Sequence, residues 1–181
     1  MTVNKGKEFE QSLKDSATEQ KVFFYRIKDV PQMMLKQGSK VSQNNYDAFL
    51  YHNNYLFAIE LKSTKAKSIS FSESMIKKHQ IESLKEAAKY EGIIAGFIFQ
   101  YREPDNKTYF VHIDDFTTYK DHAEGRNNTI TYSNKVNKSS IPIGICEEIG
   151  IELINIKKKV KFRYYIKRML DEAIVRYGEE S

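Results

Sequence analysis

The chain has 181 residues, 40% of them hydrophobic and 29% charged, and a net charge of +5. That is enough for one substantial core, falls inside the globular range, and includes no apolar run near the roughly 20 residues that span a bilayer. A single cysteine, Cys146, excludes an internal disulfide and a multi-cysteine zinc site; with a polar start that lacks a secretory signal, it points to a reducing, cytosolic setting.

In chain order, Phe9, Leu13 and Ala17 recur every four residues, which predicts an amphipathic helix over residues 4–20 with Glu10 beside its buried stripe. The run 22–27 is β-rich and predicts a strand. Residues 28–45 contain Pro31, Lys36, Gly38 and Lys40 and read as a connection with a protruding part, short for a stalk. Runs 46–51 and 55–61 flank His52-Asn53-Asn54, so an antiparallel hairpin is expected. Residues 69–71 add an extended piece, and Ser72 is the expected N-cap of a helix over 73–90 that Gly92 closes.

The run 93–100 is almost wholly apolar, as a central strand covered on both faces requires, and 108–113 alternates into a neighbour. Past Asp114 the pattern weakens. Residues 121–140 read as a long polar loop with a short strand at 129–132, residues 151–156 as a late strand, and 162–177 as a basic C-terminal helix. Repeats and convincing linkers are absent, so the expectation is α/β: one domain, with a mixed sheet flanked by helices.

The charge is unevenly placed. Residues 1–80 carry 13 Lys and Arg against 8 Asp and Glu, whereas residues 81–181 carry 16 of each. A localised basic excess is the footprint of phosphate binding. Within that half, the predicted hairpin brings Asp47, at the start of its first strand, to the same end as Glu60 and Lys62 on its second. Glu60 and Lys62 are two apart and share a face. Paired carboxylates form a hard-oxygen site suited to Mg²⁺ or Mn²⁺, and the adjacent ammonium supplies positive charge for a phosphoryl group. Lys62, Lys65 and Lys67 follow with no acid between them. Gln80 shares a stripe with Ile76, Leu84 and Ala88, so it is a polar group on a sheet-facing surface that needs a partner; this carboxylate centre is the nearest candidate. His52 belongs to the turn, His79 reads as packing or solvent-facing, and Cys146 as a small buried residue.

Asp47, twelve intervening residues and Glu60-Leu61-Lys62 together resemble the D…ExK core of the PD-(D/E)xK nucleases. The segment His79-Gln80-Ile81-Glu82 after Phe71 is similar to the helix that follows this core in RecU-like Holliday junction resolvases. Residues 4–10 resemble that family's N-terminal segment, and 92–100 with 109–116 its central strands. The resemblance implies a restriction-endonuclease-like fold and a homodimer that nicks four-way DNA junctions symmetrically. It implies Mg²⁺, with Mn²⁺ as substitute, held by Asp47, Glu60 and the Leu61 carbonyl. Gln80 supports that set, as does Asn45, which stands where the family tends to have Thr. Lys62 orients the attacking water or stabilises the transition state, and Glu10 holds a second cation or a water. Candidate phosphate contacts are Lys5, Lys7, Arg26, Lys28, Lys36, Lys40, Lys65, Lys67, Lys77 and Lys78. A recombinase partner fits such a role, in a bacterial cell or a phage-infected one. Two alternatives stay open: a nuclease of this superfamily acting on another DNA form, and a non-catalytic DNA-binding recombination protein. The basic run 157–168 reads as a DNA or dimer surface, or as a solvated helix face.

Overall fold

A computed structural model of the protein describes residues 4–28 and 44–178. The expected connection at 28–45 falls almost entirely outside the described residues, and Lys36 and Lys40 with it. Helix α1 (Lys5–Glu19) begins at the N-cap Asn4, whose side chain accepts from the amides of Gly6 and Lys7, satisfying two otherwise unpaired donors. Strand β1 (Phe23–Arg26) pairs antiparallel with β2 (Ala48–His52), and β2 with β3 (Tyr55–Thr64). Between β2 and β3, Asn53 and Asn54 both have positive φ, of 47° and 65°. This is the two-residue hairpin turn whose twist matches its strands, and Asn tolerates it better than most residues. The turn is one residue tighter than the three-residue loop expected from sequence.

After β4 (Ser68–Ser70) and α2 (Lys78–Ala87), the chain enters β5 (Ile93–Tyr101), which pairs parallel with β3. Strand β6 (Lys107–His112) returns antiparallel to β5, followed by α3 (Ile113–Ala123), β7 (Ser140–Pro142) and α4 (Ile143–Ile149). Then come β8 (Ile151–Glu152), β9 (Asn155–Lys157), β10 (Phe162–Tyr164) and α5 (Ile166–Tyr177). The main sheet has the order β1-β2-β3-β5-β6-β8 and is mixed, since β3 and β5 alone among its pairs run parallel.

Side chains alternate across that sheet, and each face buries its own cluster. Phe9, Leu13, Leu50, Phe57, Ile59, Ile98 and Leu170 pack on the face covered by α1 and α5. Ala58, Leu84, Phe97, Phe99, Phe116 and Ile145 pack on the face covered by α2, α3 and α4. Where β5 meets β6 at Gly96 there is no room for a side chain: a Cβ there would lie 2.4 Å from the Val111 carbonyl oxygen and 2.8 Å from the Phe110 ring. Gly96→Ala is expected to cost about 1–3 kcal/mol by overpacking, read as a lower urea midpoint with an unchanged slope.

Several expectations need correction. The helix expected over 73–90 is α2, which starts at Lys78. Residues 72–76 instead make a separate turn, with the Ser72 carbonyl accepting from Met75 and Ile76, and the Glu73 carboxylate caps the Lys78 amide at 3.0 Å. No strand forms at 129–132; Tyr132 is held by its ring edge against Tyr119 and His122. The late strand divides into β8, which pairs with β6, and β9, which pairs with β10. Residues 162–164 are strand, and the C-terminal helix begins at Ile166. Tyr164 explains this: fully buried, it needs its hydroxyl at Gln100 (3.0 Å) and Asn106 (3.1 Å), while its amide donates to Ser16 Oγ at 3.0 Å. Among the described residues, no helix is long and apolar enough to cross a membrane.

Candidate active site

The β2–β3 register fixes the site. Phe49 pairs with Ala58; Asp47 lies two residues before Phe49 and Glu60 two after Ala58, and the Asp47 amide donates to the Ile59 carbonyl at 3.0 Å where β2 begins. Opposite residues of an antiparallel pair share a face. Asp47, Glu60 and Lys62 therefore project from the face that α2 covers. Gln80, in the first turn of α2, meets them there.

The contacts are specific. Lys62 Nζ lies 2.9 Å from Glu60 Oε1 and donates to Gln80 Oε1 at 3.1 Å. Gln80 Nε2 donates to the same Glu60 oxygen, and Gln80 Oε1 also accepts from the Lys77 amide at 3.0 Å. Glu60 is 2% exposed and Gln80 8%, so both polar groups are buried and partnered, as burial demands. Asp47 Oδ2 accepts from the Leu61 amide at 2.8 Å. In a strand, the N–H and C=O of one residue point to the same side, so the Leu61 carbonyl faces the Asp47 side too, where β2 has ended.

Burial and the negative charge of Asp47 push the Glu60 carboxyl up to about 8, against the pull of Lys62. An ordinary glutamate titrates near 4.3 in an unfolded chain. The metal-free fold therefore has its full Glu60 contribution below that value and loses it as pH rises through about 8. The wild type should lose stability relative to Glu60→Gln between about pH 4 and pH 8, in urea unfolding with EDTA present. Parallel curves for the two proteins would contradict it.

Carboxylates so close that one keeps a proton near neutrality are a donor pair from which a divalent cation can displace that proton. Among the described residues, no group of three or more His, Cys, Asp and Glu gathers as a metal cluster. A two-carboxylate set fits an ion of the Mg²⁺ type, which keeps several waters.

Not every sequence candidate joins this group. Glu10 lies on α1, across the sheet, and pairs with Arg26, whose strand position faces Ala48, next to Asp47. Asn45 is exposed two residues before Asp47. Of the basic candidates, Lys7, Lys28 and Lys67 are exposed; Lys5 pairs with Glu8 at 2.8 Å, Lys78 with Glu82 at 3.5 Å, and Lys65 reaches Glu103 at 4.0 Å. Lys77 caps α2. One residue escaped the sequence reading: Arg102 Nη1 donates to Ser63 Oγ at 2.7 Å, immediately after Lys62. Its signal was its place at the end of the central strand, but only the parallel register, Ser63 to Gln100, reveals which neighbour it meets.

A helix-covered mixed sheet, in which a hairpin delivers two carboxylates and a lysine beside a parallel strand pair, is a restriction-endonuclease-like fold. In agreement, the chain is similar in fold to the 1.6 Å structure of Archaeoglobus fulgidus Hjc, a Holliday junction resolvase from an archaeal hyperthermophile, with a TM-score of 0.50 and 17% identity over 81% of this chain and 95% of that one. The family model for Recombination protein U, RecU, matches residues 4–159, and the chain belongs to that family. It is also 59% identical over 171 residues to the SPbeta prophage-derived uncharacterized protein YotM of Bacillus subtilis (strain 168), covering 94% of this chain and 87% of that protein.

Proposed function

We propose that the protein is a Holliday junction resolvase, a metal-dependent endonuclease that introduces paired nicks into four-way DNA junctions. The observation that carries this reading is the convergence of Asp47, Glu60, Lys62 and Gln80 at one end of β3. Membership of the RecU family and the fold shared with an archaeal resolvase support it.

Asp47, Glu60 and the Leu61 carbonyl would hold Mg²⁺ or Mn²⁺, with Asn45 at the rim. When bound, the ion supplies Lewis-acid polarisation of the scissile phosphate and lowers the pKa of water for in-line attack. The remaining work belongs to the side chains. Lys62, fixed between Glu60 and Gln80, places a positive charge where the phosphoryl group gains negative charge. Gln80 holds both partners without adding charge. Glu10, set against Arg26 beside the start of β2, positions a water or a second cation from the opposite face. Lys5, Lys7, Lys28, Lys65, Lys67, Lys77 and Lys78 hold the phosphate backbone.

Two symmetric nicks need two sites and hence a second copy of the chain. The exposed aromatics Phe23, Tyr25 and Tyr51 on the β1–β2 edge give such a copy an apolar surface to bury. Among the described residues one six-stranded main sheet carries a core on each face, which supports a single nuclease domain, acting inside the bacterial cell and open to a recombinase partner.

Cleavage of a labelled four-way junction compared with linear duplex of the same arm sequence tests the assignment. Preferential, metal-dependent cutting of the junction is expected. Equal cutting of both substrates would favour a nuclease acting on another DNA form.

A further inference from the structure

We infer that the β9–β10 hairpin is a DNA-gripping arm that holds a strand's phosphate backbone as it leaves the catalytic end of the sheet; this rests on the junction-resolvase reading. Lys157 pairs with Phe162, and the Lys158 amide donates to the Lys161 carbonyl at 2.8 Å, so Lys159 and Val160 form the tip. The tip projects into solvent: Val160 is 92% exposed. Lys157, Lys158 and Lys159 are exposed too, and no ion pair engages them among the described residues.

The base of the hairpin, by contrast, is fixed to α1. Lys161 Nζ lies 2.7 Å from Asp15 Oδ2, and Arg163 Nη2 2.9 Å from Glu19 Oε1. The Tyr164 amide is bonded to Ser16. A rigid stem carrying unpartnered cations is poorly explained by folding, because those side chains contribute nothing to the core.

Position supplies the occupant. Between the hairpin and the end of the main sheet lies an open groove of about 380 Å³, bordered by Lys5, Lys65, Arg102, Val160 and Lys161. The acids on its rim, Glu8 and Glu103, are already engaged by Lys5 and Lys65. Arg102 joins this groove to Ser63, which follows Lys62 on β3 and so points to the opposite face of the sheet. The groove thus opens at the catalytic end of the sheet on its other face, where Arg102 has no ion pair among the described residues. Together with the unpaired Lys157, Lys158 and Lys159 of the hairpin it offers cations that a polyanionic backbone fits.

The test is fluorescence-anisotropy binding of a labelled synthetic four-way junction and its matching duplex, in EDTA, over a series of KCl concentrations. Lys158→Ala/Lys159→Ala is expected to lower the slope of log affinity against log salt by about two, since each lost phosphate contact removes roughly 0.9. Lys85→Ala/Lys89→Ala, on the last turn of α2 and beyond it, should leave the slope unchanged. Junction binding by the wild type with an unaltered slope in the hairpin variant would overturn the arm, as would an equal fall in the α2 variant. A wild type that does not prefer the junction, with the slope still reduced in the hairpin variant, would sink the resolvase reading and leave the arm standing.

Discussion

Lys62→Ala and Asp47→Asn are each expected to reduce junction cleavage by about 10²–10³-fold while preserving junction binding, the usual consequence of removing one preorganised electrostatic group. The two act differently. Lys62→Ala removes the ammonium that neutralises buried Glu60, leaving Gln80 and the Asp47 carboxylate as its side-chain partners. The Glu60 carboxyl then holds its proton still more strongly, so raising the pH or the Mn²⁺ concentration should recover part of the activity. Asp47→Asn retains a carbonyl oxygen able to accept from the Leu61 amide, so the start of β2 keeps its geometry, but the paired negative charge is lost. Its defect should appear chiefly as weaker metal binding, measurable by Mn²⁺ titration calorimetry. Binding should be preserved in both, because the proposed backbone contacts come from other lysines. Undiminished nicking by either purified variant would contradict these roles.

The hairpin was legible because its signals are local: alternating strands, an Asn-Asn turn and a carboxylate two residues from a lysine require no knowledge of distant partners. Gln80 was legible for a related reason, since a polar residue on an apolar helical stripe must find a bond. Past β6 less was legible, although the C-terminal helix ends where expected, at Tyr177. Helix α3 has the right buried spacing in Ile113, Phe116, Tyr119 and Ala123, yet its sequence is rich in Asp and Thr, which carry little helix propensity. Strand β10 is imposed by the remote demands of Tyr164, and β7 by pairing with β4 some 70 residues earlier. Glu10 shows the limit at the site itself: its place beside the buried stripe of α1 was readable, but its partner Arg26 was not, because that contact depends on how α1 lies on the sheet.

Phe97→Ala should strongly destabilise the fold. Phe97 is fully buried, stacks on Phe99 with ring centroids 5.1 Å apart and meets Phe116 at 4.7 Å. Removing it should cost about 3–5 kcal/mol, from lost burial plus the cavity left behind. Against a typical total of about 5–15 kcal/mol, that is enough to lower the melting temperature sharply. Phe97 is also the register partner of Glu60 on the adjacent parallel strand. Cleavage by the variant, assayed well below its melting temperature, should therefore fall more than the folded fraction alone explains. A stability change under about 1 kcal/mol would mean that the core collapses around the gap.

Incubation of the purified protein with a mobile synthetic four-way junction, each strand labelled in turn and the products mapped at nucleotide resolution, addresses the Asp47–Glu60–Lys62 centre most directly. With Mg²⁺ or Mn²⁺ present, nicks should fall at symmetry-related positions in two opposing strands; EDTA or Glu60→Gln should abolish them. Intact strands under every metal condition, or nicking that survives both EDTA and Glu60→Gln, would contradict a metal-dependent resolvase built on these residues.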